Sequence, residues 1–456
     1  MSTTAGCPFH AAQTAGSAPA THVAATPSPG SAPSHTSQVG SAAGAEGAPV
    51  ASTQLAGGNP LPVASWVDPA ALVADPYASY ARLRAESPVA WVPELGKALV
   101  TSFAGCHEVE QDQEIYSANV AGSTQTRALG AQPMLRKDDP EHAVERAPLN
   151  PVLRPKNIKD AWAPVFEANA QGYLDALEAI PAAELDLNRH YAAPLAAKNL
   201  ADLLGLKDVD VETVRRWSHD YIAGMGNVLN DPDVWLRCET SISEADALLD
   251  ELIPYYLAHP DTSMISALAH SGLDEAAVRA NIKLTISGGM NEPQHMITSI
   301  VSALHDHPEF RPVTEAGAPD REASSAWAAI FDEAVRWRSP IGMYPRQTTR
   351  DTVLEGVLLP AGTQLGVVVG SANHDAAQFG DTAAEFNPGR PKAPHLGFGA
   401  GVHLCAGHWA AKTSIGQIAV PALYERFPGL AVDASRPTTW DGWVFRGITS
   451  LPVTLG

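Results

Sequence analysis

The sequence predicts a mainly α-helical fold with small β-sheets, and three observations carry that expectation. Apolar residues recur at helical spacing over long stretches. One stretch, "LDEAAVRANIKLTISGGMNEPQHMITSIVSALHDHP" from Leu273 to Pro308, is long enough to cross a whole domain. The β-rich pieces, by contrast, are short and punctuated by glycine and proline.

In chain order, residues 1–65 come first, rich in Ala, Ser, Gly, Pro and Thr, and the first Lys or Arg of the chain is Arg82. Such a composition cannot bury enough apolar surface to offset its ordering entropy, so a disordered extension is expected there and a folded domain over 66–456. A secretory or transit peptide would need an early Lys or Arg. The "CPFH" at Cys7 to His10 is an isolated pair in that extension, and no role is expected of it.

The domain opens with "DPYASYARLRAESP", where Asp75-Pro76 starts a helix and Pro88 stops it. "VAWVPELGKALVT" then reads as two strands turning at Gly96. "APVFEANAQGYLDALEAI" and "LAAKNLADLLGL" read as helices. In the long stretch Asp274 is the expected cap and Pro308 the stop, giving a helix of roughly 50 Å. "TVLEGVLLPAGTQLGVVV" reads as strands turning at Glu355-Gly356 and at Pro360-Ala361-Gly362.

Bulk composition excludes several functions. The chain has 456 residues, 45% hydrophobic, and a net charge of −20, which argues against a nucleic-acid binder. No apolar run reaches the ~18 residues of a membrane span. Cys7, Cys106, Cys238 and Cys405 lie far apart with no C-x-x-C pair, which fits a reducing, cytoplasmic setting and excludes an iron–sulfur domain built on clustered cysteines.

"HLGFGAGVHLCAGHWAA", His395 to Ala411, is the most informative stretch. Gly399 and Gly401 allow a tight turn, and Gly407 allows close approach of something flat. Helical sequence begins just after Cys405, so free amides and a helix N-terminus are expected to lower its pKa. A core cysteine would need no such loop. Phe398-Gly-x-Gly-x-His-x-Cys-x-Gly407 resembles the heme-thiolate loop of cytochromes P450 at every defined position. The resemblance implies the cytochrome P450 fold over about Trp66 to Gly456. It also implies heme b (iron protoporphyrin IX) with Cys405 as the thiolate metal ligand, and Phe398, Gly399 and His403 beside the cofactor.

Other stretches agree. Glu333 and Arg336 of "EAVR" share a helix face and resemble the Glu-x-x-Arg pair of this superfamily, with Arg390 of "FNPGR" its third member. His142 and Arg146 of "HAVER", with Arg346 and His403, resemble the family's binders of the heme propionates.

The resemblance places the long helix over the distal face of the heme. Gly288 and Gly289 are then expected to clear that face. Pro293 has no N–H for the carbonyl of Gly289, so a local opening of the helix is expected. Where most members carry an acid followed by threonine, this chain has Asn291 and Glu292, expected to manage the protons as an amide–acid pair.

"GGMNEPQH", "GSANHD", "APHLGFGAGVHLCAG" and "GWVFRGITSLPVT" resemble the guaiacol (methoxyphenol) O-demethylase group of bacterial P450s. That resemblance implies O-demethylation of a small aromatic, a lignin-derived 2-methoxyphenol, to a catechol and formaldehyde. It also implies an NADH-dependent reductase partner carrying FAD and a 2Fe–2S cluster. Gly288, Gly289 and Phe445 would bound the substrate, with Leu129 and Met225 replacing two aromatics of the group. Three readings stand beside it: a P450 hydroxylase of another small aromatic or terpenoid, a natural peroxygenase using Glu292, and a heme-based sensor or carrier.

Overall fold

The computed structural model describes residues 58–227, 230–312 and 321–456. The expected extension over 1–65, with Cys7 to His10, lies outside these residues as far as Gly57. Pairing with the body begins before Trp66: Asn59 bridges Val357 and Val63 bridges Trp91.

Helices dominate. Those that matter for the site are α1 (Tyr77–Glu86), α2 (Phe103–Gln111), α3 (Thr124–Ala128), α4 (Glu141–Arg146), α5 (Ala163–Leu177), α6 (Ala193–Leu204), α7 (Val211–Met225), α8 (Pro232–Ala258), α9 (Glu275–Asp306) and α10 (Arg321–Trp337). The strands of the first half and the turn region are β1 (Val89–Val92), β2 (Lys97–Val100), β3 (Tyr116–Ser117), β4 (Tyr344–Thr348), β5 (Thr352–Leu354), β6 (Val357–Leu359) and β7 (Gln364–Val367). One five-stranded sheet has the order β1-β2-β7-β4-β3, with β2 and β7 parallel and the other neighbours antiparallel. The stretch around Glu355-Gly356 is a β5–β6 hairpin, but β7 leaves it after Gly362 to join the large sheet. Near the C-terminus β8 (Ala431–Val432) pairs β11 (Val453–Thr454), and β9 (Thr439–Asp441) pairs β10 (Gly447–Ser450).

Helix α9 runs through the largest hydrophobic core, burying Ile282, Ile286, Met290, Ile297, Ile300 and Leu304. The Asp274 carboxylate accepts from the Ala276 amide and caps its start, and its last turn closes at His307, ahead of Pro308. The helix runs unbroken from Glu275 to Asp306 with Pro293 inside it, so the missing N–H opposite the Gly289 carbonyl does not end it. A proline removes one backbone bond, and tertiary packing holds the flanking turns. Ser218 Oγ on α7 donates to the Ser287 carbonyl at 3.2 Å, and a Cβ on Gly289 would lie 2.6 Å from Leu200 Cδ1 on α6. Gly289 therefore serves the close crossing of α9 and α6. Only Gly288 faces open space.

Among the described residues no helix is long and apolar enough to cross a membrane.

Candidate heme-thiolate site

Three buried layers hold the cysteine loop in place. The innermost is ionic: the Arg336 guanidinium grips both oxygens of Glu333 at 2.7 Å, and Arg390 Nε reaches the same carboxylate at 2.9 Å. The Asn387 amide adds a further donor to Glu333 at 2.9 Å. A buried pair of this kind holds only when its remaining hydrogen-bonding groups are satisfied. Arg336 meets that need by donating to the carbonyls of Asn373, Ala383 and Glu385. The second layer is Asn373, fully buried, whose amide donates to Ser339 Oγ while its carbonyl oxygen accepts the Leu396 N–H at 2.8 Å. Leu396 opens the third layer, the loop itself.

Within the loop, Gly399 and Gly401 have φ of 69° and 60°. A Cβ on Gly401 would also sit 2.1 Å from the Glu110 carbonyl, so only glycine lets the loop lie against α2. The Cys405 amide donates to Phe398 O at 2.8 Å. The Gly407 and His408 amides approach Sγ and pull the thiol pKa down, as does Arg146, but burial outweighs them and Glu292 adds to it. The thiol is raised, not lowered as the loop sequence suggests, because desolvation disfavours the thiolate more than two amides favour it. Metal coordination deprotonates a thiol outright.

The predicted anion binders converge. The His142 and His403 rings lie 4.3 Å apart, and Arg346 is 5% exposed with its guanidinium over the Tyr344 ring. Arg146 stands at the edge of this group, donating to the Leu404 carbonyl at 2.6 Å. Arg136 completes the cluster and was not legible in the sequence, since nothing in "MLRKDDP" distinguishes it from a surface arginine. It is buried, Nε is held by Gln125 Oε1, and Nη1 has no partner. Burial first, then Arg346, pushes Arg136 down to about 9, and burial with Arg346, His142, Arg136 and Arg146 pushes His403 down to about 2. His403 Nε2 is likewise buried without a partner. The nearby carboxyl, Glu110, is raised to about 7 by burial against the pull of Arg346 and the Ala400 amide. The cluster is therefore rich in buried donors and short of acceptors, as a pocket for the two carboxylates of heme b should be. With the single thiolate of Cys405 nearby, these residues fit the cofactor.

On the distal side Gly288 is exposed, and a Cβ there would meet nothing closer than Glu292 Oε1 at 3.9 Å. Asn291 and Glu292 share its face at i+3 and i+4. Burial raises Glu292 to about 8, with its own backbone amide pulling the other way. Glu292 is close enough to Cys405 to raise its thiol by charge, so this face of α9 lies near the cysteine loop.

The remaining predicted pocket residues divide. Phe445 sits at the tip between β9 and β10, in a loop zipped onto residues 340–342 by bonds from Arg446 N to Pro340 O and from Gly342 N to Val444 O. Met225 ends α7, half-buried. Its Sδ accepts from Gln125 Nε2 at 3.1 Å and its carbonyl from Thr124 Oγ1 at 2.5 Å. Leu129 follows α3 and is enclosed in the core with no accessible surface. Gln125 thus spans from Met225 to Arg136, a link that sequence spacing does not reveal.

The cytochrome P450 family profile matches residues 321–427. The chain is 27% identical over 395 residues to the cytochrome P450 monooxygenase PikC of Streptomyces venezuelae, covering 83% of this chain and 91% of that protein. It is 26% identical over 382 residues to a steroid C26-monooxygenase of Mycolicibacterium smegmatis, covering 82% and 91%. Among solved structures, ligand-free cytochrome P450 TbtJ1 superposes with a TM-score of 0.72 at 27% identity, covering 84% of this chain and 98% of that one. P450BioI, solved with a lipid-loaded acyl carrier protein, gives 0.75 at 24%, covering 85% and 100%. Fold, cysteine loop and relatives agree: the chain has the cytochrome P450 fold, its residues 321–427 match the cytochrome P450 family profile, and its cofactor is thiolate-ligated heme b.

Proposed function

We propose that this P450 monooxygenase O-demethylates a 2-methoxyphenol, guaiacol or a ring-substituted guaiacol, to a catechol and formaldehyde. One observation carries the reading. The face of α9 nearest the cysteine loop carries an amide and a buried carboxyl, Asn291 and Glu292, beside the side-chain-free Gly288. When bound, the heme supplies the oxidation of the methoxy carbon, giving a hemiacetal that releases formaldehyde. Cys405 holds the iron, and Arg136, His142, Arg346 and His403 hold the carboxylates of the cofactor. Gly288 leaves room for a ring against α9, and Phe445, in its zipped loop, closes the apolar side. Glu292, raised to about 8, is protonated at neutral pH and can donate a proton; Asn291 can orient it.

Electrons would come from an NADH-dependent reductase with FAD and a 2Fe–2S cluster. Val402, Leu404 and Trp409 stand exposed around Cys405, so an apolar contact there would bring such a partner near the thiolate.

Incubating the holoenzyme with reductase and guaiacol, 4-alkylguaiacols or syringol should yield equal amounts of formaldehyde and catechol. Failure on the whole panel would sink the reading. The curated relatives favour a second one, hydroxylation of a larger apolar molecule, since two of them are a steroid C26-monooxygenase and a methyl-branched lipid omega-hydroxylase. A spin-state shift with steroids or fatty acids, and none with methoxyphenols, would select it.

A further inference from the structure

We infer that Asn281 is a positioning residue: it ties helix α9 to both segments that carry anchors for the heme carboxylates, and so governs how firmly the cofactor is held. The inference rests on the cation cluster described above, not on the identity of the substrate.

Asn281 lies two turns ahead of Gly288 on α9 and has no accessible surface. Its Oδ1 accepts the Met134 N–H at 2.8 Å, and its Nδ2 donates to Glu145 Oε2 at 2.7 Å. Those partners fix the amide in one orientation, because a backbone N–H only donates and a carboxylate only accepts. Met134 opens the short helical turn Met134–Arg136, which delivers Arg136. Glu145 belongs to α4, three residues after His142 and immediately before Arg146. One buried side chain therefore reaches the two segments that bear Arg136, His142 and Arg146. The other oxygen of Glu145 accepts from Lys137 Nζ, so this buried carboxylate is satisfied on both sides. Helix α4 has six residues and no side-chain cap at its start. A helix that short does not hold its place unaided, and the bond from Asn281 supplies a hold from α9. The helix that carries Gly288 and Glu292 is thereby kept in register with the anchors of the cofactor.

Transfer of heme from the holoenzyme to apomyoglobin reads that hold. Asn281→Asp sets two carboxylates against each other and should speed heme loss by about tenfold or more, the reach of a hydrogen bond to a buried charge. Glu145→Gln sets amide against amide and should speed it less. Combining them restores a matched pair. The carboxylate at 281 then accepts from Met134 and from the amide at 145, whose oxygen still accepts from Lys137. The double variant should therefore lose heme more slowly than Asn281→Asp alone, the non-additivity expected within one network. Asn281→Ser introduces no like charge and gives the same direction of change if Asn281→Asp fails to fold. Ser218→Ala cuts α9 from α7 instead and should leave the rate near native. A retained thiolate-type band of the carbon monoxide adduct shows that each variant starts with its cysteine loop intact. Neither guaiacol nor a reductase enters the experiment, so failure of the O-demethylation reading leaves it standing. Native rates in Asn281→Ser and Glu145→Gln, a double variant whose acceleration is the product of the single ones, or equal acceleration by Ser218→Ala would each overturn the inference.

Discussion

Glu292 is protonated at neutral pH, and that decides what it can do as a proton-handling group. With the carboxyl raised to about 8 by burial, the acid form dominates below that value and the base form above it. Peroxide-driven turnover needs a base to take the first proton from hydrogen peroxide. That rate is therefore expected to climb as pH rises through about 8, with the climb absent in Glu292→Gln; general acid–base groups typically contribute ~10²–10⁴-fold. Initial rates with peroxide and no reductase, measured from pH 6.5 to 9.5, check this. A flat profile in the native enzyme would remove Glu292 from the proton path. Residues borne by a motif were legible from sequence: Cys405, Glu333, Arg336 and Arg390 all stand where covalent spacing put them. Arg136, Glu110 and Gln125 were not, because only the fold brings α2, α3 and the segment before α4 to the cysteine loop. Nor was the direction of the Cys405 shift, since burial cannot be read from a loop's own residues.

At the scale of the element, helix α9 gives its two adjacent glycines different tasks. A methyl group at position 289 would press on Leu200 of α6, whereas one at 288 would enter open space. Gly289→Ala is expected to destabilise the protein by about 1–3 kcal/mol, the usual cost of overpacking, while leaving the substrate-induced spin shift nearly unchanged. Gly288→Ala should do the reverse, with a normal melting temperature and weakened binding of a bulky ring. Thermal unfolding paired with binding titrations separates the two; equal behaviour would show that both glycines serve the same surface. The period of α9 and both its ends were readable from sequence. That Gly289 serves the crossing with α6 while Gly288 stays clear was not, because α6 and α7 come from elsewhere in the chain.

Over the whole molecule, stability is tied to pH through buried histidines. His374 donates from Nε2 to the Trp337 carbonyl at 2.7 Å, stacks on Tyr77 at 4.5 Å, and is pushed down to about 4, mainly by burial. Unfolded, it would titrate near 6.5. Between those values the unfolded chain takes up a proton that the folded one refuses, so stability falls as pH drops from about 6.5 to about 4. His374→Gln keeps the donor and should flatten that loss, as melting temperatures measured across the window will show; an unchanged slope would assign the acid sensitivity to other groups. The bridge from Met225 through Gln125 to Arg136 has a different reach. It joins the end of α7 to the cation cluster, so a coupling between cofactor loading and guest binding is expected, and if present it must be reciprocal: whatever factor the first lends the second, the second must return. Guaiacol should then slow the transfer of heme to apomyoglobin by a few-fold, and Gln125→Leu should abolish that slowing even where the guest still binds. The chain would release its cofactor most readily when its pocket is empty, and the trait would be set by one amide that touches neither partner's reacting atoms.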